Sequence, residues 1–218
     1  MQLYEIFVYI LLGFEALAAI VGILHWKQDK NTYWKYFTIY LILSFIGELV
    51  GFVLGKMKLI IWNQRLMEYL IIPAGFLLLY WIYSKRLKSK SLPIIISMLY
   101  LIIFLIDSFI LHKNDVTSFF VMSYTSGYLM LLLLIFQFLF DLVKSEQIIN
   151  FKKNRLFWIS VGLLTFGLGS LPYYALHNYF QKVNKDFTDK YWYVSTILNY
   201  IQYLLFAFSF LCRKVYQK

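Results

Sequence analysis

The most constraining feature of this sequence is a series of seven long apolar runs separated by short polar breaks. A bilayer core about 30 Å thick needs roughly 20 apolar residues of helix for each crossing. Lipid offers no hydrogen-bond partners, so each crossing must satisfy its own backbone, and these runs lack the alternation of barrel strands. The sequence therefore predicts an all-α polytopic membrane helix bundle, one domain over residues 1–218, with spans at about 3–24, 36–54, 66–83, 92–111, 119–142, 156–176 and 193–211.

Composition indicates a chain whose main surroundings are lipid rather than water. Of the 218 residues, 61% are hydrophobic and only 15% are charged, against about 25% charged in ordinary globular domains. The formal net charge is +10, but the chain has no Gly-rich phosphate loop and no Cys and His spacing typical of zinc sites. We therefore expect no cofactor, no metal site and no nucleic-acid partner, and we expect the basic loops to meet anionic membrane lipids.

Lysine and arginine are unevenly distributed between the two sets of span ends. Residues 27–35, 85–90, 144–155 and 213–218 hold 14 of them, whereas residues 56–65, 113 and 182–190 hold seven. Cytoplasmic loops of membrane proteins are enriched in these two residue types. The sequence therefore predicts an N-terminus outside the cell, a cytoplasmic C-terminus, and a multi-pass protein of the bacterial cytoplasmic (inner) membrane.

Polar and ionisable side chains within the predicted spans collect in the outer half of the membrane. Such side chains are costly in lipid and commonly mark functional sites. The inner half is mostly Leu, Ile and Phe, so we expect a polar, acidic pocket that opens to the outside and is closed toward the cytoplasm. The residues predicted to bind a ligand there are Glu15, Glu48, Arg65, Glu68, Asp107, Tyr124, Tyr128, Tyr173 and Asn199.

The charges of this predicted pocket do not cancel, because four acids face a single base. Arg65 and Glu68 are three residues apart on one helix and can pair directly, which would be a structural role. Glu48 and Asp107 are then the stronger candidates for function, although each could be a neutral carboxylic acid hydrogen-bonded to a neighbouring helix. With tyrosines nearby, the functional alternatives are binding of a cationic amine and a proton-linked switch.

Small residues mark where helices can approach each other closely. Gly47, Gly51 and Gly55 recur every fourth residue along one face of the second span, and Gly169 belongs to a similar pattern in the sixth. This pattern favours packing within the bundle over a dimer interface. Pro73 lies inside the third span and predicts a break in its regular helix.

Residues 150–174 read NFKKNRLFWISVGLLTFGLGSLPYY. This segment resembles part of small uncharacterised bacterial seven-span membrane proteins and of the membrane input regions of some sensor histidine kinases. The elements that carry the resemblance are the basic run followed by Phe157, Trp158, Gly162, Gly167 and Gly169. The resemblance covers one of the seven predicted helices, and it implies a topology rather than a mechanism or a functional residue.

Three functions fit this pattern, and they differ in what they require. The leading hypothesis is a ligand- or proton-sensing or accessory module, in which the pocket binds a small cationic or polar molecule and a separate cytoplasmic or membrane protein partner reads the change. The first alternative, a small-solute transporter or channel, needs a polar path to the cytoplasmic face. The second, a membrane-embedded lipid-modifying enzyme, needs two carboxyl groups within about 4 to 6 Å. No Ser/His/Asp grouping is evident, so no catalytic residue is predicted.

Overall fold

The computed structural model describes residues 3–111, 119–183 and 185–212, and all regular structure in these ranges is helical. The seven long helices are α1 (Leu3–Leu24), α2 (Lys35–Lys56), α3 (Ile60–Ser84), α4 (Ser91–Leu111), α5 (Val121–Val143), α6 (Arg155–Ala175) and α7 (Lys185–Ser209). Short helices follow α1, α5 and α6 at Trp26–Asp29, Glu146–Lys153 and His177–Val183.

Helices α1 to α6 are each long and apolar enough to cross a membrane. They overlap the first six predicted spans, and α3 alone begins well before its span, at Ile60 instead of residue 66. These six helices make the chain an all-α, multi-pass membrane protein. Helix α7 is 25 residues long but more polar than the other six. Four residues of the predicted charge asymmetry, Lys113, Arg213, Lys214 and Lys218, lie outside the described residues.

The seven helices form a ring in chain order. Each packs against the next, α1 also packs against α7, and α3 contacts α5 as well as α4. An ion pair between Glu5 and Lys56 joins the start of α1 to the end of α2. The rings of Tyr4 and Trp192, 4.7 Å apart, join the start of α1 to the first half of α7. The amino-terminal end of the bundle therefore holds the starts of α1, α3, α5 and α7.

Two of the helices are widened by a π-helical turn. In α3 this turn covers Met67–Ile71, directly before Pro73. Proline has no amide hydrogen for the carbonyl four residues earlier, and its ring crowds that carbonyl, so a wider turn relieves the conflict. The irregularity expected at Pro73 takes this form. A second π-helical turn, Asp107–Leu111, ends α4.

The opposite end of the bundle has a dry, aromatic interior. Its fully buried side chains include Phe37, Leu41, Tyr83, Leu134, Ile135, Leu156, Phe206 and Phe210. Within this packing, the Tyr83 hydroxyl hydrogen-bonds the Ser160 hydroxyl at 2.6 Å. Buried polar groups need such partners because an unsatisfied hydroxyl is costly in an apolar interior. This end of the bundle is therefore a well-packed core rather than an opening.

A buried ion pair closes the same end. Arg155, the first residue of α6, donates from Nη1 to Asp29 Oδ2 at 2.7 Å, and both residues are at most 5% exposed. The guanidinium lies over the ring of Phe210, 3.8 Å from its centroid, and over that of Trp34 at 4.6 Å. The pair therefore ties the α1–α2 connection to α6 and α7.

Candidate binding cavity

The bundle encloses a central cavity of about 360 Å³, within the range of small-molecule sites. Every long helix except α4 lines it. The polar lining residues are Glu15, Tyr40, Ser44, Glu48, Gln64, Glu68, Tyr124, Tyr128, Tyr174, Asn199, Gln202 and Tyr203. The apolar ones include Phe76, Phe119, Leu131, Leu163 and Phe166. The lining extends from Gln64 and Phe119 near the amino-terminal end to Tyr40 and Gln202, which lie past the middle of the bundle.

The cavity has a one-sided charge. It is lined by three carboxylates, from Glu15, Glu48 and Glu68, and its described lining contains no Lys, Arg or His. No three His, Cys, Asp or Glu side chains come together as a metal site in the part of the chain that the structure describes. The arrangement therefore favours a cation held by carboxylates and aromatic rings.

The carboxylate of Glu68 has an evident structural role at the start of α5. It accepts hydrogen bonds from Gln64 Nε2 at 3.0 Å and from the backbone amide of Phe120 at 3.2 Å. The first amides of a helix have no helical partner, and the helix dipole favours negative charge there. Glu68 therefore caps α5 while lining the cavity.

Asp107 of α4 also binds a backbone amide at the start of α5. Its Oδ2 accepts a hydrogen bond from the backbone amide of Ser123 at 2.5 Å, and its side chain is fully buried between α4 and α5. Glu68 and Asp107 both lie in the π-helical turns of their helices. Both acids thus stabilise the N-terminus of α5, and this accounts for two of the four acids that the sequence singles out.

Glu15 and Glu48 are not explained in this way. Glu15 is 1% exposed, and its Oε2 has no hydrogen-bond partner among the described residues. Glu48 and the Tyr203 hydroxyl lie near it. One residue before Tyr203, Gln202 is 4% exposed and its Oε1 is also without a partner within the described ranges. The cavity thus presents two buried acceptor atoms, Glu15 Oε2 and Gln202 Oε1, that no group among the described residues satisfies.

Aromatic rings line the part of the cavity near the start of α5 and the end of α6. Tyr124 and Tyr174 lie 4.5 Å apart, and Phe119 lies 5.6 Å from Tyr124. The Tyr128 hydroxyl donates to the carbonyl of Leu163 at 2.8 Å, which fixes its ring across the gap between α5 and α6. These π faces can hold a cation or an apolar ligand body.

Six of the nine predicted ligand-binding residues line the cavity, namely Glu15, Glu48, Glu68, Tyr124, Tyr128 and Asn199. The other three, Arg65, Tyr173 and Asp107, lie outside its lining. Arg65 is exposed, because it follows Gln64 and is turned about 100° away from the Gln64 and Glu68 face of α3. The same rotation takes Tyr173 away from Tyr174, and it stacks on Tyr191 at 5.2 Å instead. Asp107 belongs to α4, which lies outside the cavity wall.

Several lining residues were missed by the sequence analysis, although a signal for them exists. Tyr40, Ser44 and Glu48 recur every fourth residue along α2, and they share one face of that helix. Asn199, Gln202 and Tyr203 on α7 show the equivalent spacing of three and four. A polar stripe with helical spacing inside a predicted span would therefore have indicated these faces, whereas single residues at a given depth do not.

Of the four glycines predicted to pack helices, three face a neighbouring helix and one does not. A Cβ added at Gly47 would lie 3.0 Å from the Ile71 side chain, and one at Gly51 would lie 2.6 Å from Asn63 Oδ1, so both glycines face α3. Gly169 faces Leu198 of α7.

Gly55 has open space around it, because it lies near the end of α2 beyond the contact with α3.

Gly167 has a direct effect on the cavity, because a side chain there would collide with the ring of Tyr128.

No family model, no curated protein and no solved structure matches this chain.

Proposed function

We propose that all seven long helices cross the cytoplasmic membrane of a bacterium, with the N-terminus outside and the C-terminus in the cytoplasm. Helix α7 is longer than the roughly 20 residues that a crossing needs. Its polar residues Asn199, Gln202 and Tyr203 face the cavity instead of lipid, which explains why it is less apolar than the others. The 14 to seven distribution of lysine and arginine supports the orientation. A green fluorescent protein fused to the C-terminus should fluoresce, because this reporter folds in the cytoplasm but not after export across the membrane. A dark fusion would contradict the proposed orientation.

We propose that the protein is a membrane receptor or accessory module that binds a small cationic ligand from outside and acts through a separate cytoplasmic or membrane protein partner. The observation that carries this proposal is the cavity with three carboxylates and no basic residue in its described lining. Glu68 is engaged with α5, which leaves Glu15 and Glu48 to balance a ligand's charge. The aromatic walls add cation–π attraction.

The packing of the opposite end favours this role over the two alternatives. A transporter needs a polar path to the cytoplasm, whereas fully buried Phe37, Leu41 and Phe206 fill the interior on that side of the cavity. An enzyme working through Glu48 needs Glu68 or Asp107 as its second carboxyl. Glu68 lines the cavity with Glu48 but is engaged with the backbone amide of Phe120. Asp107 lies outside the cavity lining and is engaged with the amide of Ser123.

A thermal-shift screen of the detergent-purified protein tests the proposal. Small amines should raise the unfolding midpoint of the parent protein, and carboxylates of similar size should not. The shift should disappear in Glu48→Gln and persist in Glu146→Gln, a matched control on an exposed acid outside the cavity. An equal response to anions and cations, or a shift that survives in Glu48→Gln, would contradict a cation site at Glu48.

A further inference from the structure

We infer that the ligand's charged group is a protonated amine with N–H donors, held between Glu15 of α1 and Gln202 of α7, and that its body is apolar. This inference rests on the proposed function and names the chemical class of its ligand. It starts from Glu15 Oε2 and Gln202 Oε1, two buried acceptors of the cavity without a hydrogen-bond partner among the described residues.

Acceptors of this kind distinguish between types of cation. Buried polar atoms in proteins almost always have a partner, and an orphaned acceptor requires a donor. A primary or secondary ammonium group carries at least two N–H donors, one for each of the two acceptors that line this cavity. A quaternary ammonium group carries none, so it could balance charge and contact the rings but would leave both acceptors unsatisfied.

The other wall of the cavity indicates the rest of the ligand. Phe76, Phe119, Phe166 and the rings of Tyr124 and Tyr174 form an apolar lining, and Tyr128 is fixed by its bond to the Leu163 carbonyl. Of the other two lining acids, Glu68 is engaged with Phe120 and Gln64, and Glu48 lies near Glu15, where it belongs to the same charge centre. A single amine on an aromatic or aliphatic body therefore fits better than a polyamine or a sugar.

A pair of ligands with the same body and the same charge tests the inference. Phenethylamine carries three N–H donors, and trimethylphenethylammonium carries none. Calorimetry on the full chain in detergent should give at least about tenfold tighter binding of the amine, which corresponds to about 1.4 kcal/mol. Neutral phenylethanol, measured in parallel, corrects for partition of the apolar body into micelles.

Variants assign the preference to the two acceptors. In Glu15→Met and in Gln202→Met, which each remove one of the two acceptors, the ratio of the two affinities should fall toward one. It should stay unchanged in Gln137→Met, a matched control, since Gln137 bonds Asp141 on its own helix and does not line the cavity. If Glu15→Met fails to fold, Gln202→Met carries the test alone, because it changes no charge.

The outcomes separate this inference from the proposed function. Equal binding of both cations by the parent protein would overturn the inference and leave a cation-binding cavity standing. A preference that survives in Glu15→Met and Gln202→Met would overturn the assignment to these residues. Binding of neither cation at millimolar concentration would overturn the proposed function together with the inference.

Discussion

Replacing Asp29 by Asn should destabilise the protein strongly, although the change is small in volume. The substitution removes the carboxylate that lies 2.7 Å from Arg155 Nη1 and leaves the guanidinium in a site where both side chains are at most 4% exposed. Breaking a buried ion pair from one side typically costs about 3–5 kcal/mol. The rings of Trp34 and Phe210 remain over the guanidinium and keep water away from it. We therefore expect a loss of about 3 kcal/mol, the lower end of that range, because Asn can still accept one hydrogen bond.

The assay is equilibrium unfolding of the detergent-solubilised protein by denaturant, followed by tryptophan fluorescence. The matched control is Asp186→Asn, which breaks a pair with Lys190 of similar length, 2.8 Å, but with both side chains at least 75% exposed. Exposed pairs contribute little to stability, because water and salt screen them. Equal losses of unfolding free energy in the two variants would refute the argument, since they would mean that water reaches the Asp29–Arg155 pair as readily as it reaches the surface pair.

Three further predictions follow from other parts of the bundle. Gly167→Ala should displace the ring of Tyr128 and lower the unfolding midpoint in a thermal melt, and unchanged stability would contradict the close contact at Gly167. Glu68→Gln should weaken the start of α5 by about 1 kcal/mol, seen as faster hydrogen exchange at the amide of Phe120, whose bond to Glu68 it alters. Burial lowers the pKa of the His177 imidazole in the folded protein below its usual value of 6.5. The stability that depends on neutral His177 should therefore be complete above pH 6.5 and should be lost as the pH falls from 6.5 through the pKa of the folded state. His177→Gln should remove that part of the pH dependence of the unfolding midpoint.

The extent of the membrane helices could be predicted well, because lipid leaves the backbone few choices. The first apolar run predicts residues 3–24 and α1 covers the same range. Predictions fail where a helix continues into polar sequence. Helix α3 begins at Ile60 and α7 at Lys185, ahead of the runs at 66 and 193, because hydropathy indicates where lipid begins and not where the hydrogen-bonded backbone begins.

The position of each acid along its helix could also be predicted, but not the residues that contact it. Glu68 and Asp107 come from different helices and meet at the start of α5 only because α3 and α4 both pack against α5. The linear sequence does not contain that ring order. Arg155 shows the same limit, since the sequence counts it among loop charges that face headgroups, whereas the structure buries it against Asp29. Pairing across 126 positions has no local signal.

The most direct test of the central claim, an acidic cavity that opens to the outside, is chemical labelling of a single cysteine within it. Ser44→Cys places a thiol in the lining and keeps all the acids, and Cys212→Ser removes the chain's single native cysteine. A positively charged methanethiosulfonate reagent added to intact cells should modify the thiol faster than its negatively charged counterpart, and an added amine should slow it. Equal rates for the two reagents, or labelling only from the cytoplasmic side, would contradict the account.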